Sequence, residues 1–77
     1  MTDNETQLKI KGKVLNVIVD GLSPLEISAI AKEVEKKMND IERKTDITDI
    51  SKLAMMAALE FAIELYVCKR RSEKAKP

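Results

Sequence analysis

The sequence predicts an α+β fold: an N-terminal β-hairpin followed by two helices, the second long, apolar and continuing into a short coiled coil, in an oligomeric chain. Three observations carry this prediction. Apolar residues alternate on both sides of Gly12, a dense helix-start signal stands at Ser23-Pro24-Leu25-Glu26, and an apolar run fills the C-terminal third. Of the sixteen residues from Leu53 to Cys68, fourteen are apolar, and only Glu60 and Glu64 interrupt them. A helix apolar on nearly every side has to be covered on nearly every side. The 77 residues make one small domain with too little other material to do this, so a second copy is the expected cover.

Composition narrows the function classes. Below about 80 residues a single core seldom supplies more than a few kcal/mol without a disulfide, a metal or a partner. Cys68 is the only cysteine and there is no histidine, so no intrachain disulfide can form and neither a metal nor a cofactor is expected. Phe61 and Tyr66 are the only aromatics, which leaves self-association as the source of stability. The single cysteine and the polar N-terminus, which lacks the pattern of a secretion signal, place the chain in a reducing cytoplasm. A membrane span is not expected, since crossing a bilayer takes about 20 apolar residues and the carboxylates of Glu60 and Glu64 would lie in hydrocarbon.

Charge is unevenly placed. Residues 1–68 carry nine basic and twelve acidic side chains, a net −3, whereas residues 69–77 carry five basic and one acidic, a net +4. Cations suit the C-terminal end of a helix through its dipole. A contact with an acidic protein surface or with nucleic acid is the sharper and less favoured reading of so short a basic end.

Taken in order, residues 1–6 are polar and read as a flexible N-terminus. Leu8 and Ile10, then Leu15, Val17 and Val19, alternate about Lys11-Gly12-Lys13 and read as a hairpin whose turn type one glycine does not settle. Val14 and Ile18 fall on the opposite face, so the second strand is either covered on both sides or laid against a partner's strand. Ser23 is a good N-cap, Pro24 suits the first helical position, and Glu26 can close a capping box. With no base nearby, Ser23 reads as a cap and not as a nucleophile. Ile27, Ile30, Ala31, Val34, Met38 and Ile41 then recur at helical spacing and predict a first helix over residues 24–44. Asp46 or Thr48 is the expected cap of the second helix, with Ile47 folding back as a staple. That helix runs from about Asp49 into the basic end. The domain plan is thus 1–6, a head and helical unit over 7–68, and a basic helix end or tail over 69–77.

One uncharged seam on the second helix follows the coiled-coil rhythm: Ala54, Ala58, Phe61, Leu65, Cys68, Ser72 and Ala75. It is the expected oligomer interface, the alternative being that it packs on the chain's own first helix. Glu60 and Glu64 share a face. They read as structural carboxylates, open to pairing with a cation of a neighbouring chain such as Arg71 in an antiparallel arrangement. No cluster of polar groups suggests an enzyme.

The order of these elements resembles the ZapA family of bacterial cell-division proteins. Ile10-Lys11-Gly12-Lys13 is similar to the family's hairpin turn, Val34-Glu-Lys-Lys-Met38-Asn-Asp-Ile41 to its first-helix pattern, and Lys52-Leu53-Ala54 with Ala57-Ala58-Leu59 and Glu64-Leu65 to its second-helix signature. The resemblance covers residues 8–68. It implies a non-enzymatic adaptor at the mid-cell division site that binds the tubulin-like GTPase FtsZ and bundles or cross-links its filaments. It also implies homodimers through the head and helices, and tetramers through a C-terminal coiled coil. Lys13 stands at the basic position after the turn glycine that family members use in filament binding, and Lys11 flanks the same glycine. An acidic residue early in the family's second helix is replaced here by Ser51, for which Asp46 and Asp49 are the nearby substitutes. Two further departures are Glu60, where many members carry asparagine, and a coiled coil that ends by residue 77. The rival reading from another class is a dimeric ribbon-helix-helix DNA-binding regulator. Against it stand a second strand, a long first helix and basic residues gathered at the C-terminus. A plain dimerisation module without a filament partner is the third reading.

Overall fold

In a computed structural model of the chain, the backbone is described for residues 5–75 and the side chains for residues 5–71. The elements are β1 (Glu5–Ile10), β2 (Lys13–Ile18), α1 (Pro24–Lys44) and α2 (Ile50–Ala75), the α+β order expected. β1 and β2 pair antiparallel, with Leu8 opposite Leu15 and Ile10 opposite Lys13. That register leaves Lys11-Gly12 as a two-residue turn with φ of 52° and 81°. Positive φ at both central positions makes it a type I′ turn, whose twist matches that of the strands. Gly12 adopts this conformation freely, whereas an L side chain such as that of Lys11 costs roughly 1–2 kcal/mol there.

Thr6, Leu8 and Ile10 are half-buried while Glu5, Gln7 and Lys9 are exposed, the alternation of a strand with one covered face. β1 begins earlier than expected. Glu5 pairs with Ile18 and Thr6 with Val17, because β2 is long enough to hold them in the ladder, so these two residues belong to the fold. Residues 1–4 of the expected N-terminal segment lie outside the described residues. On the outer face of β2, Val14 and Ile18 stand open to solvent within one chain.

The start of α1 forms as its sequence implies. The Ser23 hydroxyl accepts from the Glu26 N–H at 3.2 Å, and the Ser23 N–H donates to Glu26 Oε1 at 2.8 Å. Such a cap is worth about 1 kcal/mol. At the other end, the Thr45 N–H and hydroxyl both donate to the Ile41 carbonyl, and Thr45 Oγ1 accepts from the Ile47 N–H. α2 is capped by neither Asp46 nor Thr48. Asp49 does this, accepting the Lys52 N–H at 3.0 Å on its carboxylate and the Leu53 N–H at 2.9 Å on its carbonyl. The cap moves there because Ile47 and Ile50 both turn onto the core, which sets the first turn of α2 at Ile50.

Met38 and Ile41 of α1 and Leu53 and Ala57 of α2 form the buried centre, with Leu53 wholly inaccessible. Ile10, Val34, Ile47, Ile50, Met56 and Phe61 pack around it. Nearer the start of α1, Ile27 and Ala31 are buried under the hairpin and line an apolar cleft of about 220 Å³ with Leu8, Leu15 and Val17. The radius of gyration is 15.2 Å, against about 11.5 Å for a compact domain of this length. The accessible surface is 6435 Å², where roughly 4,700 Å² is usual for this mass. The excess includes the uncovered side of α2, where Met55, Leu59, Ile63, Leu65, Tyr66 and Val67 are exposed. Among the described residues no helix is long and apolar enough to cross a membrane.

Truncating the wholly buried Leu53 to alanine is expected to cost about 2–5 kcal/mol. Urea titration followed by helical circular dichroism, at fixed protein concentration, measures this. A loss within experimental error would move the stabilising contact away from the α1–α2 centre.

Candidate partner-binding site

The expected partner-binding residues divide into two states. Lys11 faces inward: its N–H donates to Glu35 Oε2 at 3.1 Å, and its ammonium donates to Asn39 Oδ1 at 2.7 Å and Glu42 Oε1 at 2.8 Å. Residues 35, 39 and 42 are spaced by four and three, so they form one polar stripe along α1. The ammonium of Lys11 is thereby committed within the chain. Across the turn, Lys13 opens β2 and is exposed.

Ile10 and Ile47 pack against the same core, which brings the hairpin tip and the α1–α2 connection to one end of the molecule. Asp46 is exposed in that connection. Asp49 is exposed too, but one carboxylate oxygen is taken up by the cap of α2. Ser51 lies exposed in the first turn beside it. Among the described residues no ion pair joins Lys13 to Asp46 or Asp49, so the site is an open surface carrying both signs of charge.

The expected oligomer seam lies along a flank of α2. Ala54, Ala58, Leu65 and Cys68 are exposed, and Cys68 is a free thiol. Phe61 instead packs against the chain's own core, with the Lys37 ammonium 5.1 Å from its ring centre. Ser72 and Ala75 fall outside the residues with described side chains. Reading the sequence for small residues passed over a second row, Met55, Leu59 and Tyr66, on the face turned away from α1. Its spacing of four and seven residues was the available signal.

Glu60 and Glu64 do not wait for a neighbouring chain. Lys37 of α1 meets Glu64 at 2.7 Å and Glu60 at 3.7 Å, binding the helices together beyond the apolar centre. Within one chain, α1 runs antiparallel to α2 and delivers this cation to the face that carries both carboxylates. The hydrogen bond to Glu64 holds the Lys37 pKa above its ordinary 10.5; partial burial opposes this, and the charges of Glu64 and Glu60 add to it. The stripe that receives Lys11 and this bridge were both missed in the sequence.

Comparison with known proteins covers the same elements. The family model described as "Cell division protein ZapA" matches residues 6–77. A protein described as "Cell division protein ZapA" from Shouchella clausii (strain KSM-K16) is 30% identical over 66 residues, which cover 86% of this chain and 83% of the relative. No solved structure matches.

The raised pKa of Lys37 fixes the sign of a pH effect. Its contribution to stability is complete below 10.5 and is lost as pH rises through the higher value in the folded chain. The advantage in Tm of the wild type over Lys37→Met is therefore expected to hold at neutral pH and shrink in strongly alkaline solution. Thermal unfolding of both proteins across that range measures it. An advantage that does not change with pH would mean that the lysine stem, packed on Phe61, contributes all of it.

Proposed function

The chain belongs to the ZapA family of cell-division proteins, and on that premise we propose that it is a non-enzymatic adaptor that binds FtsZ and cross-links its filaments. The observation that carries this reading is the pairing of an exposed Lys13 at a braced hairpin tip with an α2 that one chain leaves uncovered. A basic tip is suited to an acidic patch on a polymer. A helix with apolar residues on its far side is suited to another copy of itself. Joined in one oligomer, the two surfaces present the tip more than once. Multivalency then lets individually weak contacts bridge filaments at mid-cell.

Within this reading Lys13 makes the filament contact, and Asp46 and Asp49 supply the acidic side of the same end. Lys11 acts from behind the tip. The homodimer or tetramer forms along α2, through Ala54, Ala58, Leu65 and Cys68 and on toward Ser72, with Phe61 shared with the intrachain core. The chain works in the cytoplasm on this account and needs no cofactor. The DNA-binding alternative gains no support from the fold. Its architecture offers one strand per chain to a partner, whereas β1 and β2 here pair with each other.

The first test is co-sedimentation with FtsZ polymerised by GTP, with unpolymerised FtsZ as control. Pelleting with visible bundles is the expected result, and Lys13→Glu, which turns an attraction into a repulsion, should weaken it by roughly tenfold, or about 1.4 kcal/mol, without loss of helicity. Undiminished binding by that variant would relocate the contact. For self-association, Leu65→Glu is expected to give a species of lower mass in sedimentation velocity. An unchanged mass would remove the flank of α2 from the interface.

A further inference from the structure

We propose that Lys11 is a positioning residue, which docks the hairpin tip onto α1 and so fixes where Lys13 is presented. The inference rests on the filament-binding reading above and deepens it by naming the side chain that orders the binding surface.

Three observations converge on it. First, the turn itself does not ask for a lysine. A type I′ turn favours Asn, Asp or Gly at this position, yet Lys11 sits there with φ of 52°. Its value therefore lies in its side chain. Second, that side chain is mostly covered, at 18% accessibility, and ends between Asn39 and Glu42 while its own N–H reaches Glu35. A backbone donor and a side-chain donor from one residue thus grip one stripe of α1 over two turns. Third, β1 packs on α1, whereas β2 makes its close backbone approach to β1 alone. The strand that carries Lys13 thus lies one strand further from α1, with Leu15 and Val17 reaching the apolar cleft and no backbone as close to the helix as that of β1. A two-stranded hairpin has little stability of its own and depends on packing against a helix. A clamp at its tip extends that packing to the turn, and the ordering cost is met before the partner arrives.

Lys11→Asn separates the clamp from the turn, because Asn-Gly is itself a favoured type I′ pair and keeps the hairpin. Two measurements decide the matter. By NMR, the residue-11 amide of the Asn variant should exchange roughly tenfold faster than in the wild type, with α1 and α2 amides unchanged. In co-sedimentation with FtsZ filaments, Lys11→Asn should bind several-fold more weakly, and Lys11→Asn combined with Lys13→Met should bind no more weakly than Lys13→Met alone. A purely structural role would not give that saturation.

Unchanged exchange in the Asn variant overturns the clamp. Losses that multiply in the double variant overturn positioning, since Lys11 would then be touching the filament itself. A wild-type chain that fails to pellet overturns the filament reading and the presentation role with it. In that event exchange still decides separately whether Lys11 orders the tip.

Discussion

The antiparallel contact of Met38 and Ile41 with Leu53 and Ala57 is where the other elements take their bearings. Leu53 fills the space between the helices, and Ala57, one turn on, is small enough to let α1 approach. The connection from Thr45 to Asp49 is set by this contact, because Ile47 and Ile50 both have to reach it. The hairpin is set by it as well, since Ile10 packs at its edge. Few side chains do this, so the chain has little stabilising surplus of its own.

Charge then does what a small core cannot. Lys11 ties the hairpin to α1, and Lys37 ties α1 to α2 beyond the apolar centre. Ion pairs this close to solvent add little to stability. What they supply is direction: each cation lands on acceptors spaced along a neighbouring helix face, Asn39 and Glu42 for Lys11 and Glu60 and Glu64 for Lys37.

What the sequence made legible was local. Ser23 and Glu26 are three residues apart, and nothing distant can change the cap that they form. Gly12 marks its turn for the same reason, and the apolar period of α1 reads directly to Lys44. The connection was less legible because Asp46, Thr48 and Asp49 are equivalent cap formers until the core chooses between them. Lys11, Lys37, Glu60 and Glu64 were visible only as charges; their partners lie more than twenty residues away and depend on how the helices are set. Phe61 shows the same limit. Its spacing fits a seam between chains as well as it fits the core within one, and within one chain it packs, partly buried, at the edge of that core. As to the candidate site, Lys13 could be picked out at the tip, but its covered neighbour on the other side of Gly12 could not be told apart from it.

α2 carries a consequence of its length. The helix has 26 residues, which span about 39 Å. The hairpin tip lies beside its capped beginning, while beyond Glu64 its described side chains are all exposed. The helix is therefore a ruler with phase as well as length. Each added residue advances its far end by about 1.5 Å and turns it by roughly 100°. A partner meeting that end would sense a single insertion first as a change of facing, and only a whole turn would restore it. Distance and facing between surfaces joined through α2 are therefore coupled, and neither can be changed by a residue or two without the other.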